Sequence, residues 1–218
     1  MSSKTKRITA LAMFCALAYI SVVVGRVPLI LFLNYEPKDV ILTIGGFIFG
    51  APSVIIMTVI VSFVEMITIS ADGIIGFVMN VIAAIAFSLP PVYAYKKRRS
   101  MLGVAIGLLS GTALMTILML MWNYCLAPIF MGYPREQVVK LLVPAFLPFN
   151  LIKGGVNSAI TLLLYKPVMT VLQKTNLIPA QEDEISKESK ARKAVIIIVA
   201  VFVLISYLIL MLSMNRII

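Results

Sequence analysis

The sequence predicts an all-α integral membrane protein: six spanning helices followed by a seventh apolar run. Three observations carry that prediction. The 218 residues are 61% hydrophobic and only 13% charged, whereas a soluble domain is about half apolar and about a quarter charged. The apolar residues fall in long runs with basic borders, as membrane helices do. Lys153 stands inside one of these runs, Pro148 to Asn157. An ammonium group at that depth costs roughly 3 kcal/mol, so it needs a partner, a wet cavity or a ligand.

The first span runs from about Ile8 to Val24 and bends at Arg26-Val27-Pro28. Ala16-Leu17-Ala18 resembles a signal-cleavage site, but apolar character continues past it and more spans follow, so no cleavage is expected. An apolar but broken stretch, Leu29 to Leu33, leads to Asn34-Tyr35-Glu36-Pro37. Pro37 is placed to open a second helix, with Asp39 in its first turn. That helix, about Asp39 to Phe49, is short for a span. Gly50-Ala51-Pro52 breaks it, and a third helix covers about Ser53 to Ile69. After the Asp72-Gly73 turn, a fourth covers about Ile75 to Tyr95 and stops at Lys96-Lys97-Arg98-Arg99. The fifth, about Met101 to Ala127, is expected to end near Pro128. Arg135 to Val143 has the mixed polarity of an interfacial helix, and the sixth span runs from about Pro148 through Tyr165 toward Lys174. Residues 1–175 thus form one membrane domain, 176–193 a charged cytoplasmic linker, and 194–218 an extra C-terminal transmembrane helix.

Loop charge sets the expected orientation. With the N-terminus cytoplasmic, about thirteen Lys and Arg lie inside and five outside, which satisfies the positive-inside rule. The formal charge of +10 comes from these borders, so nucleic acid is the weaker explanation. There is no histidine, and Cys15 and Cys125 lie in apolar segments. A His/Cys metal cluster and a His-assisted nucleophile are therefore excluded. No G-x-x-x-x-G-K-[ST] run is present to cradle ATP phosphates. The chain is expected to be neither an enzyme nor a cofactor carrier.

Depth links the remaining polar residues. Asn150, Lys153 and Asn157 are spaced i, i+3, i+7, within an arc of about 60° on a helix. Glu65, Asn80 and Asn123 sit near the outer ends of the third, fourth and fifth spans, at the same level. Four helices thus present polar groups in the outer half of the membrane, as a cup for a solute would. Trp122, Tyr124 and Phe149 offer aromatic walls, and a planar heteroaromatic solute with several hydrogen-bonding edges fits that set. The alternatives are interhelical glue for the amides, snorkelling for Lys153, and for Glu65 a structural pairing with Lys153 or at the interface. Tyr35 and Glu36 form either a lid or an ordinary interfacial anchor. On the first span Ala12 and Ala16 form an A-x-x-x-A spacing, which lets another helix approach closely.

Several of these segments resemble one family. Pro148-Phe149-Asn150-Leu151-Ile152-Lys153-Gly154 resembles the last-helix motif of riboflavin-specific S components, the substrate-binding subunits of energy-coupling factor (ECF) transporters. Trp122-Asn123-Tyr124 ending in Pro128, then Met131-Gly132-Tyr133, and the Ala12-x-x-x-Ala16 helix are similar to it too. The resemblance covers about residues 5 to 175. It implies an S-component-like six-helix bundle that captures riboflavin from outside and works with a transmembrane coupling subunit and two cytoplasmic ATPases in a bacterial cell membrane. It implies that Asn123, Asn150 and Lys153 bond the flavin, with Asn157 a neighbour, and that the loop from Leu33 to Asp39 covers the site. Ala12 and Ala16 would dock the coupling subunit. Gln181 to Ile218 departs from the six-helix pattern. An S component for another vitamin such as thiamine, a solitary carrier and a non-transport scaffold are the other readings.

Overall fold

The computed structural model describes residues 3–30, 33–97 and 99–174, together with five positions between 194 and 205. The expected charged linker and most of the expected seventh span lie outside the described residues.

The chain runs α1 (Ser3–Gly25), β1 (Val27–Ile30), β2 (Leu33–Tyr35), α2 (Lys38–Phe49), α3 (Ala51–Thr68), α4 (Gly73–Lys97), α5 (Met101–Met131), α6 (Arg135–Leu141) and α7 (Leu147–Lys174). A single π-helical turn, Leu142–Phe146, joins α6 to α7. Among the described residues, five helical stretches are long and apolar enough to cross a membrane. The sixth helix of the bundle is α2, whose 12 residues span only about 18 Å. It survives because it is enclosed, with both its faces packed by α1, α3, α4 and α7.

Alternation of direction gives the bundle two ends. The hairpin, the α3–α4 turn and α6 share one; Lys4, Lys6, Arg7, Lys96 and Lys97 mark the other. These are called here the hairpin end and the basic end.

Local chemistry explains most boundaries. Ser100 caps α5 by accepting a hydrogen bond from the Gly103 amide at 3.1 Å. Gly50, at φ +90°, makes a one-residue turn between α2 and α3, a conformation that favours glycine. The fifth helix corrects the expectation at Pro128. It continues to Met131 and stops where Gly132 takes φ +66°. Proline forfeits one amide donor, yet membrane helices tolerate that loss when neighbours support the backbone.

The hairpin is the element that the sequence reading left as a broken loop. β1 and β2 pair antiparallel, with Val27 opposite Tyr35 and Pro28 opposite Asn34. Only Arg26 separates α1 from β1, and a Cβ at Gly25 would lie 2.8 Å from Pro37 Cγ. Elsewhere α4 and α5 pack along most of their length. Gly107 and Gly111 let the two backbones touch: a side chain at either would collide with Pro91 Cα or the Phe87 carbonyl. At the basic end the core closes on a cluster of Phe47, Tyr95 and Tyr165, with ring centroids 4.9–5.4 Å apart.

Candidate functional site

Beneath the hairpin lies a cleft between α4, α5 and α7. Asn80 from α4, Asn123 from α5, and Asn150 and Lys153 from α7 line it together. Phe149, Met79, Met119 and Leu33 supply apolar wall. Arg26, Asn34, Glu36 and Asp72 line its mouth. The four groups from the helices are spaced so that straight helices bring them level, which is why sequence distance served as a measure of depth.

The amides are held ready. Asn123 and Asn150 each donate their Nδ2 to the carbonyl one turn back, Met119 at 2.7 Å and Phe146 at 2.8 Å. Each side chain is thereby fixed, with an Oδ1 left to accept. Both are almost fully buried.

Lys153 does not snorkel. It is buried, and its Nζ lies 3.7 Å from Asp39 Oδ2. The same carboxylate oxygen accepts from Asn157 Nδ2 at 3.3 Å, and Asn157 Oδ1 accepts from the Tyr35 hydroxyl at 2.9 Å. Asn157 therefore stands one turn deeper than the cleft, joining α7 to α2 and the hairpin. Burial, and then the charge of Asp39, push the Tyr35 phenol up from its usual range. It stays protonated and remains a donor.

A second cluster adjoins the first. Lys38, fully buried, contacts Glu65 of α3 and lies 2.8 Å from Glu36 Oε2. Glu65 also accepts from Asn80 Nδ2 at 3.3 Å. Glu65 thus has a structural pairing, with Lys38 in place of the Lys153 alternative. At the rim, Arg26 lies 3.6 Å from Glu36 and 4.0 Å from Asp72, and donates to the Ile69 carbonyl at 3.2 Å. Burial opposes ionisation of Glu36, but the ammonium groups of Lys38 and Lys153 outweigh it and hold the carboxyl down at about 2. Each buried cation here has a carboxylate partner, as the low dielectric requires.

Lys38 and Asp39, the partners of Glu65 and Lys153, entered the sequence reading only as part of the covering loop, and Arg26, which lines the cleft, only as a bend. Lys38-Asp39 reads locally as an ordinary helix start after Pro37. The usable signal was depth, since the start of α2 lies level with Lys153. The structure places Trp122 in a crevice between α4 and α5 that shares Asp72, Met79 and Asn123 with the cleft. Tyr124 is exposed and carries Arg135 over its ring at 5.4 Å, so it is not a wall of the cup. Ala12 and Ala16 are both exposed on α1.

In this form the cleft is nearly shut. Its cavity volume is about 30 Å³, against roughly 300–1,000 Å³ for a small-molecule site.

A membrane-type helical bundle with a polar cleft under a hairpin at one end is of the class of membrane proteins that can hold a solute. The comparisons agree with that class. Residues 6–165 match the family described as ECF transporter, substrate-specific component, and the chain belongs to that family. It is 26% identical over 179 residues to "Riboflavin transporter RibU" of Staphylococcus aureus (strain TCH60), covering 78% of this chain and 94% of that protein. It is 38% identical over 98 residues to "Riboflavin transporter FmnP" of Bacillus subtilis (strain 168), covering 42% of this chain and 52% of that one, so the match spans about half of FmnP. A solved structure described as "Structure and mechanism of the S component of a bacterial ECF transporter" superposes with a TM-score of 0.66 at 26% identity. It covers 78% of this chain and 99% of the other.

Proposed function

We propose that this chain is the riboflavin-capturing S component of an ECF importer. It takes the vitamin at the extracellular face of a bacterial cell membrane and hands it inward with a coupling subunit and two cytoplasmic ATPases. The observation that carries the proposal is the convergence of Asn80, Asn123, Asn150 and Lys153 on one cleft under a hairpin. An isoalloxazine ring offers carbonyl oxygens and ring nitrogens along one edge. Lys153 donates to such acceptors, and the free Oδ1 atoms of Asn123 and Asn150 accept from an imide N–H or from ribityl hydroxyls. Phe149 and the methionines pack the ring. The names of the relatives support the same vitamin.

In this proposal the N-terminus is cytoplasmic, which puts the hairpin end outside. The loop charges support that orientation. Ala12 and Ala16 give α1 a flat exposed patch where the coupling subunit docks. Residues 1–175 form the binding domain in this proposal.

The test is direct. The purified full-length protein should be yellow, or should quench the fluorescence of added riboflavin. A colourless preparation that leaves riboflavin fluorescence unchanged would sink the proposal. Calorimetric binding of thiamine by a protein that leaves riboflavin fluorescence unchanged would move it to another vitamin.

A further inference from the structure

The basic end holds a second, roomier cavity that solute capture does not use. Its volume is about 510 Å³, and it opens between the α2–α3 turn and the end of α4. Phe47, Phe49 and Val92 form its apolar side, while Lys96 and Arg99 stand on its polar side with Tyr93. Arg7 adds a third cation at the wall, because its guanidinium donates to the Phe49 carbonyl at 3.2 Å. Among the described residues no carboxylate lies within ion-pairing distance of Arg7, Lys96 or Arg99.

We propose that this cavity binds the headgroup of an anionic phospholipid, with Lys96 and Arg99 holding the phosphate. Three features favour a lipid over a soluble anion. The cations sit where a membrane helix meets the interface, at the level of headgroup phosphates; basic pockets at such ends take anionic headgroups. Tyr93, exposed at 59%, is an amphipathic ring of the kind that sits at this depth. The first turns of α3, directly beyond the cavity wall at Ala51 and Pro52, expose Ile55 and Ile56 toward the bilayer. An acyl chain can lie along them while its phosphate reaches into the cavity.

The experiment uses the full chain in detergent and measures its melting temperature and the lipid it retains in native mass spectrometry. Phosphatidylglycerol should be retained and should raise the melting temperature more than phosphatidylcholine does. Glycerol 3-phosphate, which has the phosphate but no chains, should do neither. Each cation near an anionic surface is worth about 1 kcal/mol, so Lys96→Gln with Arg99→Gln should weaken phosphatidylglycerol binding about 30-fold. Lys4→Gln with Lys6→Gln removes the same charge at the same end, away from the cavity, and should leave binding within a few-fold. Equal effects of the two lipids, or equal losses in the two double variants, would reduce the site to diffuse surface charge and overturn it. A response to glycerol 3-phosphate as large as that to the lipid would overturn the lipid assignment. Riboflavin binding is scored in the same samples, so failure of the flavin proposal is seen separately.

Discussion

The two ends of this bundle treat charge in opposite ways. At the hairpin end, Arg26, Lys38 and Lys153 interlock with Glu36, Asp39, Glu65 and Asp72, mostly out of water. The space between them is nearly closed. At the basic end, Arg7, Lys96 and Arg99 face no described carboxylate and border an open cavity. A charge bound to internal partners fixes geometry, as a selective site needs. A charge with no such partner among the described residues is open to one. Counting basic residues would not separate these roles; pairing does.

The largest test of the contrast removes a paired charge. Lys153→Met strands the Asp39 carboxylate in the interior, where breaking a buried pair costs about 3–5 kcal/mol. A large drop in melting temperature and loss of flavin binding are expected together. Adding Asp39→Leu should restore most of the stability while binding stays lost. If the double variant regains binding, Lys153 serves only the fold.

Next in size are the amides. Asn123→Ala and Asn150→Ala each remove one hydrogen-bonding group from a dry site, about 1–3 kcal/mol. Fluorescence titration should show that loss in flavin affinity with a much smaller change in melting temperature. Equal losses in both would return these residues to a purely structural role.

Arg26 is partly exposed, so its ion pairs contribute less than about 1 kcal/mol to stability. Arg26→Gln should still speed flavin release in stopped-flow measurements, because this side chain ties the hairpin to the α3–α4 turn. Unchanged release would show that Arg26 does not hold the lid.

The smallest expected effect is at the other end. Lys96→Gln with Arg99→Gln should leave flavin affinity within about 0.5 kcal/mol, as distant sites behave additively. A larger change would show that the two ends communicate.

Much of this was legible in the sequence because membrane helices are nearly straight. Position along a span becomes depth, and so Asn80, Asn123, Asn150 and Lys153 could be brought together without coordinates. What stayed hidden depends on neighbours distant in sequence. Asp39 meets Lys153, and Lys38 meets Glu65, across separations that no local pattern encodes. The hairpin was unreadable for another reason. Val27 to Ile30 is apolar throughout and contains Pro28, so it shows no alternation of faces to mark a strand. Tyr124 shows a further gap. Being level with the cleft says nothing about which way a side chain turns, and this one is exposed with Arg135 over its ring.

The junction of α1 and β1 has a mechanical consequence. One residue, Arg26, stands between them, and the end of α1 is butted against Pro37. Such a join has too few soft torsions to absorb a twist. Torque applied to the outward face of α1, where Ala12 and Ala16 lie, would pass straight into the first strand of the cover. α1 bears on α2 and α3 along its length, so those two helices are the surfaces any such twist would meet first.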